Sequence, residues 1–357
     1  MENGDYIVAI DLGTNTVVAM IGTKGEDGRI RVIDREVSAV QGAGMIRGEI
    51  KNIDLVSRSI KEAVDAIGER QGIRITEAYA GISGQHIRSV KQPYYVFASR
   101  GGEIRQEDVR QLHDSMRNVP APEGEKILQI IPQNYIVDDE EETANPVGTF
   151  GNKLASTFNI ILGDSVAINR LEMARVDIVP LGLFLNAIAS AEAVLTPDEK
   201  EEGVAVVDIG AGTTDVVVYQ KNIIRHVGII PMGGNVINKD IRSYGILEKH
   251  VENLKTRYGE AMRDAAQPDK YITTPGLSAK ASKEISSQNL AAIIEARMLD
   301  IIDFVVEELK KSGFQDRLAA GVVLTGGGAQ LKHVETLFKS YTGMDARVAG
   351  AESTLDG

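Results

Sequence analysis

The sequence contains no cysteine, which removes disulfide bonds, thiol catalysis and cysteine-ligated zinc. It has no apolar run near the ~18 residues that a membrane-spanning helix needs. Its start, MENGDYIVAIDLG, has neither the basic nor the apolar segment of a secretory signal. Basic residues are in deficit: 39 Lys and Arg against 51 Asp and Glu leave a net charge of −12. Such a chain repels phosphate backbones, so no general nucleic-acid binding is expected. There is no G-x-x-x-x-G-K-[ST] loop, no G-x-G-x-x-G opening and no G-x-S-x-G nucleophile elbow. His86, His113, His226, His250 and His333 are scattered without ligand spacing, so no histidine metal cluster is expected. What remains is ordinary for a globular protein, 43% apolar and 25% charged, with a reducing cytoplasm as its natural compartment. A length of 357 residues predicts two or three domains.

Tyr6–Ile10 reads as a strand running into Asp11-Leu12-Gly13-Thr14-Asn15-Thr16, and Val17–Ile21 as the strand that leaves. A third strand is expected over Arg29–Arg35. A helix should follow, capped by Asp54 and stopped by Gly72, with Leu55, Val56, Ile60, Ala63, Val64 and Ile67 at helical spacing. From about 81 to 160 the texture changes to extended pieces, a short amphipathic helix (Val109, Leu112, Met116) and the breakers Pro120 and Pro122. This reads as an insertion. Its acidic run, Asp138 to Glu142, reads as a solvated loop. Helices are expected over 164–176 and 181–195.

The opening pattern then returns. Val204–Val207 leads into Asp208-Ile209-Gly210-Ala211-Gly212-Thr213-Thr214, and Asp215–Tyr219 leads out. Repetition on this scale points to two related domains rather than a solenoid. A long helix is expected over Leu290–Lys311. A third glycine turn, Gly326-Gly327-Gly328, follows the strand Gly321–Thr325 and precedes a helix expected over Ala329–Tyr341.

A hairpin carrying Asp-x-Gly-Thr suits a phosphate chain. Glycine lets backbone N–H groups approach closely, and Thr14, Asn15, Thr16, Thr213 and Thr214 offer side-chain donors. Asp11 and Asp208 would face phosphate through Mg²⁺ and its retained waters; without the metal, carboxylate and phosphate repel. One such hairpin is weak, because Asp, Gly and Thr are ordinary turn residues. Two in matching strand context, followed by strand–GGG–helix, predict two phosphate hairpins facing one another across a cleft.

With these motifs the chain resembles the actin-like ATPase superfamily, in which two α/β domains clamp a Mg-nucleotide. Asp11 to Thr14 match its first phosphate motif, Asp208 to Thr214 its second, and Gly326-Gly327-Gly328 its adenosine motif. Pro231-Met232-Gly233-Gly234-Asn235 matches the glycine turn that borders the nucleotide. Glu252 and Lys255 match a Glu-x-x-Lys that reaches ribose and adenine in relatives; alone, that pair reads as a surface helix salt bridge. At the level of phrases, Ile131 to Asp138, Asn145-Pro146-Val147-Gly148 and Gly151 make the chain similar to the FtsA family of bacterial cell-division proteins.

The resemblance implies an actin-like ATPase fold: a first α/β domain (1A) over 1–80 and 163–195, and an inserted subdomain (1C) over 81–162. A second α/β domain (2A) would take 196–234 and 312–357, and a subdomain 2B 235–311. It implies ATP and Mg²⁺ as cofactors, self-assembly into actin-like filaments, and binding of the C-terminal tail of the tubulin-like protein FtsZ. Glu295 and Arg297, on the long helix of 2B, are the tail-binding candidates; a solvated helical face is the plain alternative. Other division proteins would bind through 1C. Location at the inner face of the membrane is implied only through a basic amphipathic C-terminal helix, which does not occur up to Gly357. Actin carries a Gln that positions the attacking water; Asn186 aligns there, so any ATPase activity is expected to be slow. A small-molecule kinase of the same superfamily and a pilus-assembly scaffold are the alternatives.

Overall fold

The computed structural model describes residues 6–26, 28–98, 102–140, 142–174, 177–275 and 282–350. Its frame is a pair of five-stranded sheets with one topology. The first runs Val179–Leu185, Glu77–Ile82, Tyr6–Leu12, Thr16–Lys24, Ile30–Ala39 in spatial order. The second runs Ala346–Val348, Val322–Thr325, Val204–Ile209, Thr214–Gln220, Ile223–Ile230. In each, a three-stranded antiparallel meander comes first in sequence. Two strands parallel to its first member then extend the sheet on the other side. The second sheet has nearly continuous buried apolar strands such as Val204–Val207 and Val216–Val218, as expected when both faces are covered. The first buries only Val8, Ile10 and Leu12 of its opening strand and leaves Ile7 and Ala9 half-exposed.

Helix Ile53–Gln71 covers the first sheet through Val56, Ile60, Ala63, Val64 and Ile67. Its cap is Asn52, not the expected Asp54. Asn52 is extended and its side chain accepts from Leu55 N at 3.1 Å, while Asp54 sits within the first turn, where the positive helix end favours it. Gly72, at φ 67°, ends the helix as expected.

The expected helix 181–195 divides in two. Val179–Leu185 is a strand pairing in parallel with Glu77–Ile82, and only Asn186–Val194 is helical. Pro180 is tolerated because this is an edge strand, and the register shifts between Pro180 and Gly182. The third strand also runs further than expected, over Ile30–Ala39.

Between Ile82 and Ser165 lies a separate unit. Its sheet, ordered Ile87–Phe97, Lys153–Asp164, Glu125–Val137, Glu142–Thr143, packs against helix Gln106–Arg117. Val96, Val109, Leu112, Met116, Leu154 and Phe158 give it a core of its own. The acidic run is exposed at Asp138 to Glu140, but Asp138 has a structural task. Its carboxylate accepts from the backbone N–H groups of Asn152 and Lys153 at 2.8–3.0 Å.

A second unit interrupts the second sheet between Ile230 and Val322. It contains helices Asn235–Ser243, Glu248–Tyr258 and Ser287–Ser312 and the strand pair Tyr271–Pro275 with Ser282–Ser286. The helix expected from Ala329 begins only at Val334. A 3₁₀ turn over Gly328–Gln330 precedes it, and the backbone near Lys332 is used instead to pair with Glu260 and Ala261. Among the described residues, no helix is long and apolar enough to cross a membrane.

Candidate functional site

The two meanders turn in the same way. Gly13 N donates to Thr16 O at 2.9 Å, and Gly210 N donates to Thr213 O at 2.9 Å. Each turn links two neighbouring strands at their ends, with an aspartate two residues before its first glycine. The hairpin tips meet. A methyl group added at Gly212 would overlap the Thr14 side chain, so only glycine permits this approach. Thr14 is itself positioned by accepting from Gly48 N at 3.0 Å. On one flank Asn15 and Asn235 exchange amide hydrogen bonds of 3.0 and 2.9 Å.

Helix Asn186–Val194 packs against strands of both sheets and serves both aspartates. Asn186 Nδ2 donates to Asp11 Oδ1 at 2.7 Å, and Ser190 Oγ donates to Asp208 Oδ2 at 2.6 Å. A third carboxylate, Asp215, stands opposite Asp208 in the strand register. Ser83 Oγ donates to its Oδ2 at 2.5 Å, while its Oδ1 is buried without a partner. Burial, then repulsion from Asp208, pushes the Asp215 carboxyl up to about 7, against the hydrogen bonds of Ser83 and Thr213. Asp11 is raised to about 6 by burial and by Asp208, opposed by Asn186. Asp208 is raised by burial, opposed by Ser190. Crowded carboxylates with one oxygen unsatisfied suit a cation. Among the described residues, no three acidic or histidine side chains are placed to ligate one metal ion directly. An ion here would take one or two carboxylates and complete its shell with water and ligand oxygens, as Mg²⁺ does.

A cleft of 810 Å³ holds Asp11, Gly13, Thr14, Asp208, Gly210, Gly212 and Thr213 of the expected residues, with Ser83, Asn186, Ser190 and Asp215. A smaller cavity of 180 Å³ holds Asn15, Gly210, Gly234, Glu252, Lys255, Gly327 and Gly328. There Lys255 Nζ bonds Glu252 at 2.9 Å and the Gly234 carbonyl at 3.3 Å, and Asn238 donates to Glu252 at 2.6 Å. Gly233 and Gly234 lie on the second hairpin, where Gly234 N donates to Gly210 O and Asn235 N to Ala211 O. Gly326, at φ 84°, passes so close to Asp208 that a side chain would overlap its carboxylate.

Other expected residues lie apart. Thr214 is fully buried and donates to Met232 O at 2.9 Å, holding the Met-Gly-Gly turn rather than facing the cleft. Thr16 supplies the carbonyl that closes its turn but lines neither cavity. Glu295 and Arg297 line neither cavity: Glu295 accepts from Arg263 N, and Arg297 pairs with Asp240 and Asp300. Asp215 was legible in principle, because a hairpin closed between Gly210 and Thr213 sets it opposite Asp208. Ser83 carried no local signal. Asn186 was reached through its alignment with actin's Gln; Ser190, one turn further along an alanine-rich helix, carried only a weak signal.

Comparison with known proteins bears on this arrangement. The family model for cell division protein FtsA matches residues 205–356, and that for the SHS2 domain inserted in FtsA matches 84–162. The chain is 35% identical over 356 residues to cell division protein FtsA of Neisseria meningitidis, spanning 99% of this chain and 85% of the relative. It is 32% identical to that of Pseudomonas aeruginosa, spanning 98% and 84%. Among solved structures, the PilM–PilN type IV pilus biogenesis complex matches with TM-score 0.66 at 14% identity, covering 98% of this chain and 89% of that one. MreB5 of Spiroplasma citri, solved with ADP, matches with TM-score 0.55 at 15% identity, covering 98% and 93%; it was also solved with AMPPNP. Two sheets of one topology joined at their hairpin tips are the actin-like ATPase fold, and at this identity over nearly its whole length the chain belongs to the FtsA family of cell-division proteins.

Proposed function

We propose that this cell-division protein binds ATP with Mg²⁺ between its two hairpins and works as a nucleotide-dependent filament that links FtsZ to the inner face of the cell membrane. The observation that carries the nucleotide reading is the convergence of three crowded carboxylates and two glycine turns on one cleft. The Glu252–Lys255 cavity continues behind the second hairpin. Backbone N–H groups of the turns and the hydroxyls of Thr14 and Thr213 would hold phosphate oxygens; Asp11 and Asp208 would hold Mg²⁺ through water. The metal would neutralise phosphate charge that these carboxylates otherwise repel. Glu252 and Lys255 would meet ribose and base. The MreB5 structures with ADP and AMPPNP support the reading by shared fold. Turnover is slow on this reading, because Asn186 stands where actin places its water-positioning Gln and is engaged as a donor to Asp11.

Filament assembly, the FtsZ tail on the surface near Glu295 and Arg297, later division proteins on the inserted unit and attachment to the membrane are the family-based parts of the proposal. Thermal unfolding with Mg-ATP tests the first part. Occupancy at 100 times Kd should add about 2.7 kcal/mol, and Asp208→Ala should abolish it. No shift in the parent rejects the cleft. Fluorescence anisotropy of an FtsZ tail peptide with and without Arg297→Glu tests the second; unchanged affinity rejects the surface.

A further inference from the structure

Between the inserted sheet and the second α/β sheet is a pocket of 480 Å³ whose charge runs against that of the chain. Lys91, Lys221, Arg225 and Arg317 line it, and none of the four makes an ion pair among the described residues. Arg225 is 6% exposed, yet its guanidinium bonds only to neutral oxygens: Gln220 O at 3.3 Å, Gln133 Oε1 at 3.3 Å and Asn134 Oδ1 at 3.4 Å. These are long bonds for a charged donor. The guanidinium groups of Arg225 and Arg317 both lie against the Phe314 ring, at 5.6 and 5.4 Å from its centroid, so two like charges share one aromatic ring. The single acidic lining residue, Glu142, already accepts from Asn134 Nδ2 at 2.9 Å.

Lys221 stands at the rim on the hairpin turn between strands Thr214–Gln220 and Ile223–Ile230. It and Asn222 form a two-residue turn at φ 53° and 57°, a conformation that costs a lysine, pinned by Lys221 N to Glu201 O and Asn222 N to Lys200 O. A buried cation with no carboxylate in contact among the described residues is expensive, and a chain of net −12 has acidic residues in plenty with which to pair one. Burial lowers the Arg225 pKa; the charge of Glu142 across the pocket opposes this, and that of Arg317 adds to it.

We propose that this pocket binds a small phosphoryl-bearing anion carrying two or more negative charges. Paired guanidiniums match phosphoryl oxygens in a fork, and two ammonium groups supply the remaining charge. The volume is that of a small-molecule site. Lys91, Gln133 and Asn134 come from the inserted unit, whereas Lys221, Arg225 and Arg317 belong to the second α/β unit, so the anion clamps one to the other.

The test is isothermal titration of the whole chain with inorganic pyrophosphate, without Mg²⁺, repeated with Mg-AMPPNP in excess. Pyrophosphate should bind in both conditions. Lys221→Gln combined with Arg317→Gln, both on the exposed rim, should weaken it by about tenfold or more while leaving the ligand-free melting temperature in place. Arg225→Gln should weaken it further; should that buried variant fail to fold, the rim pair still decides. Citrate should bind far more weakly. No heat at millimolar pyrophosphate, loss of binding with Mg-AMPPNP, undiminished binding to the rim variant, or citrate binding equally well would each overturn the proposal.

Discussion

Asn186 and Ser190 stand one turn apart on one helix and each donates to the aspartate of a different hairpin, so a single helical face holds both halves of the cleft. The Ser190 bond opposes the burial that raises Asp208. A carboxyl raised in the folded state stabilises the fold below its usual 3.8, and that contribution is lost as pH rises through the folded value. Ser190→Ala raises Asp208 further. The variant should match the parent near pH 4 and lose about 1–3 kcal/mol by pH 8 in nucleotide-free urea unfolding. Equal losses at both pH values would mean that the serine only fills space.

Asp215 gives an effect of the same sign. Its folded value of about 7, set mainly by burial, means that stability declines between pH 4 and 7 as the carboxyl ionises. Asp215→Asn keeps an acceptor for Ser83 and removes the charge. The variant should be more stable than the parent by about 1–3 kcal/mol at pH 8 and no more stable at pH 4. Millimolar Mg²⁺ should narrow the gap. A variant whose pH profile parallels that of the parent would falsify the buried-charge account.

The reciprocal amide pair of Asn15 and Asn235 joins the hairpin of one domain to the glycine turn of the other. Alanine at each position alone and at both gives a double-mutant cycle. The expected coupling is about 0.5–1.5 kcal/mol in the nucleotide-free protein. Additive losses would show that the amides do not act as a pair.

Gly212→Ala drives a methyl group into Thr14 and should cost about 1–3 kcal/mol. Because the obstacle is a side chain, Thr14→Gly in the same molecule should recover part of that loss in thermal melts. A melting temperature unchanged by Gly212→Ala would show that the tips do not touch.

Lys255 is buried beside Glu252 and the Gly234 carbonyl, in the smaller cavity. On the proposed reading it meets base and ribose. Lys255→Ala should weaken Mg-ATP about tenfold, from one lost charged hydrogen bond, and leave Mg-tripolyphosphate within about twofold. Equal weakening of the two ligands would move Lys255 to the phosphate end.

Local spacing carried much of this molecule. Both hairpin turns close by hydrogen bonds within four residues, Gly13 to Thr16 and Gly210 to Thr213, so Asp-x-Gly motifs were readable as turns. Helix Ile53–Gln71 shows its buried face and its Gly72 stop in its residue pattern, though not which polar residue caps it. Val179–Leu185 was not readable. Its apolar run merges with the alanine-rich helix that follows, and only pairing with Glu77–Ile82, about a hundred residues earlier, makes it a strand.

The sequence by itself determined that the chain repeats a hairpin, that glycines sit where backbones must meet, and that the protein is acidic and without cysteine. These depend on bonds within a few residues and on composition. The tertiary structure decided that three carboxylates share one cleft, that Thr214 turns away while Ser83 turns in, and that Arg225 is buried among neutral hydrogen-bond acceptors. The Thr214–Met232 and Ser83–Asp215 bonds alone join residues 18 and 132 positions apart. Periodicity names the face a side chain occupies; packing of one sheet against another chooses what that face will meet.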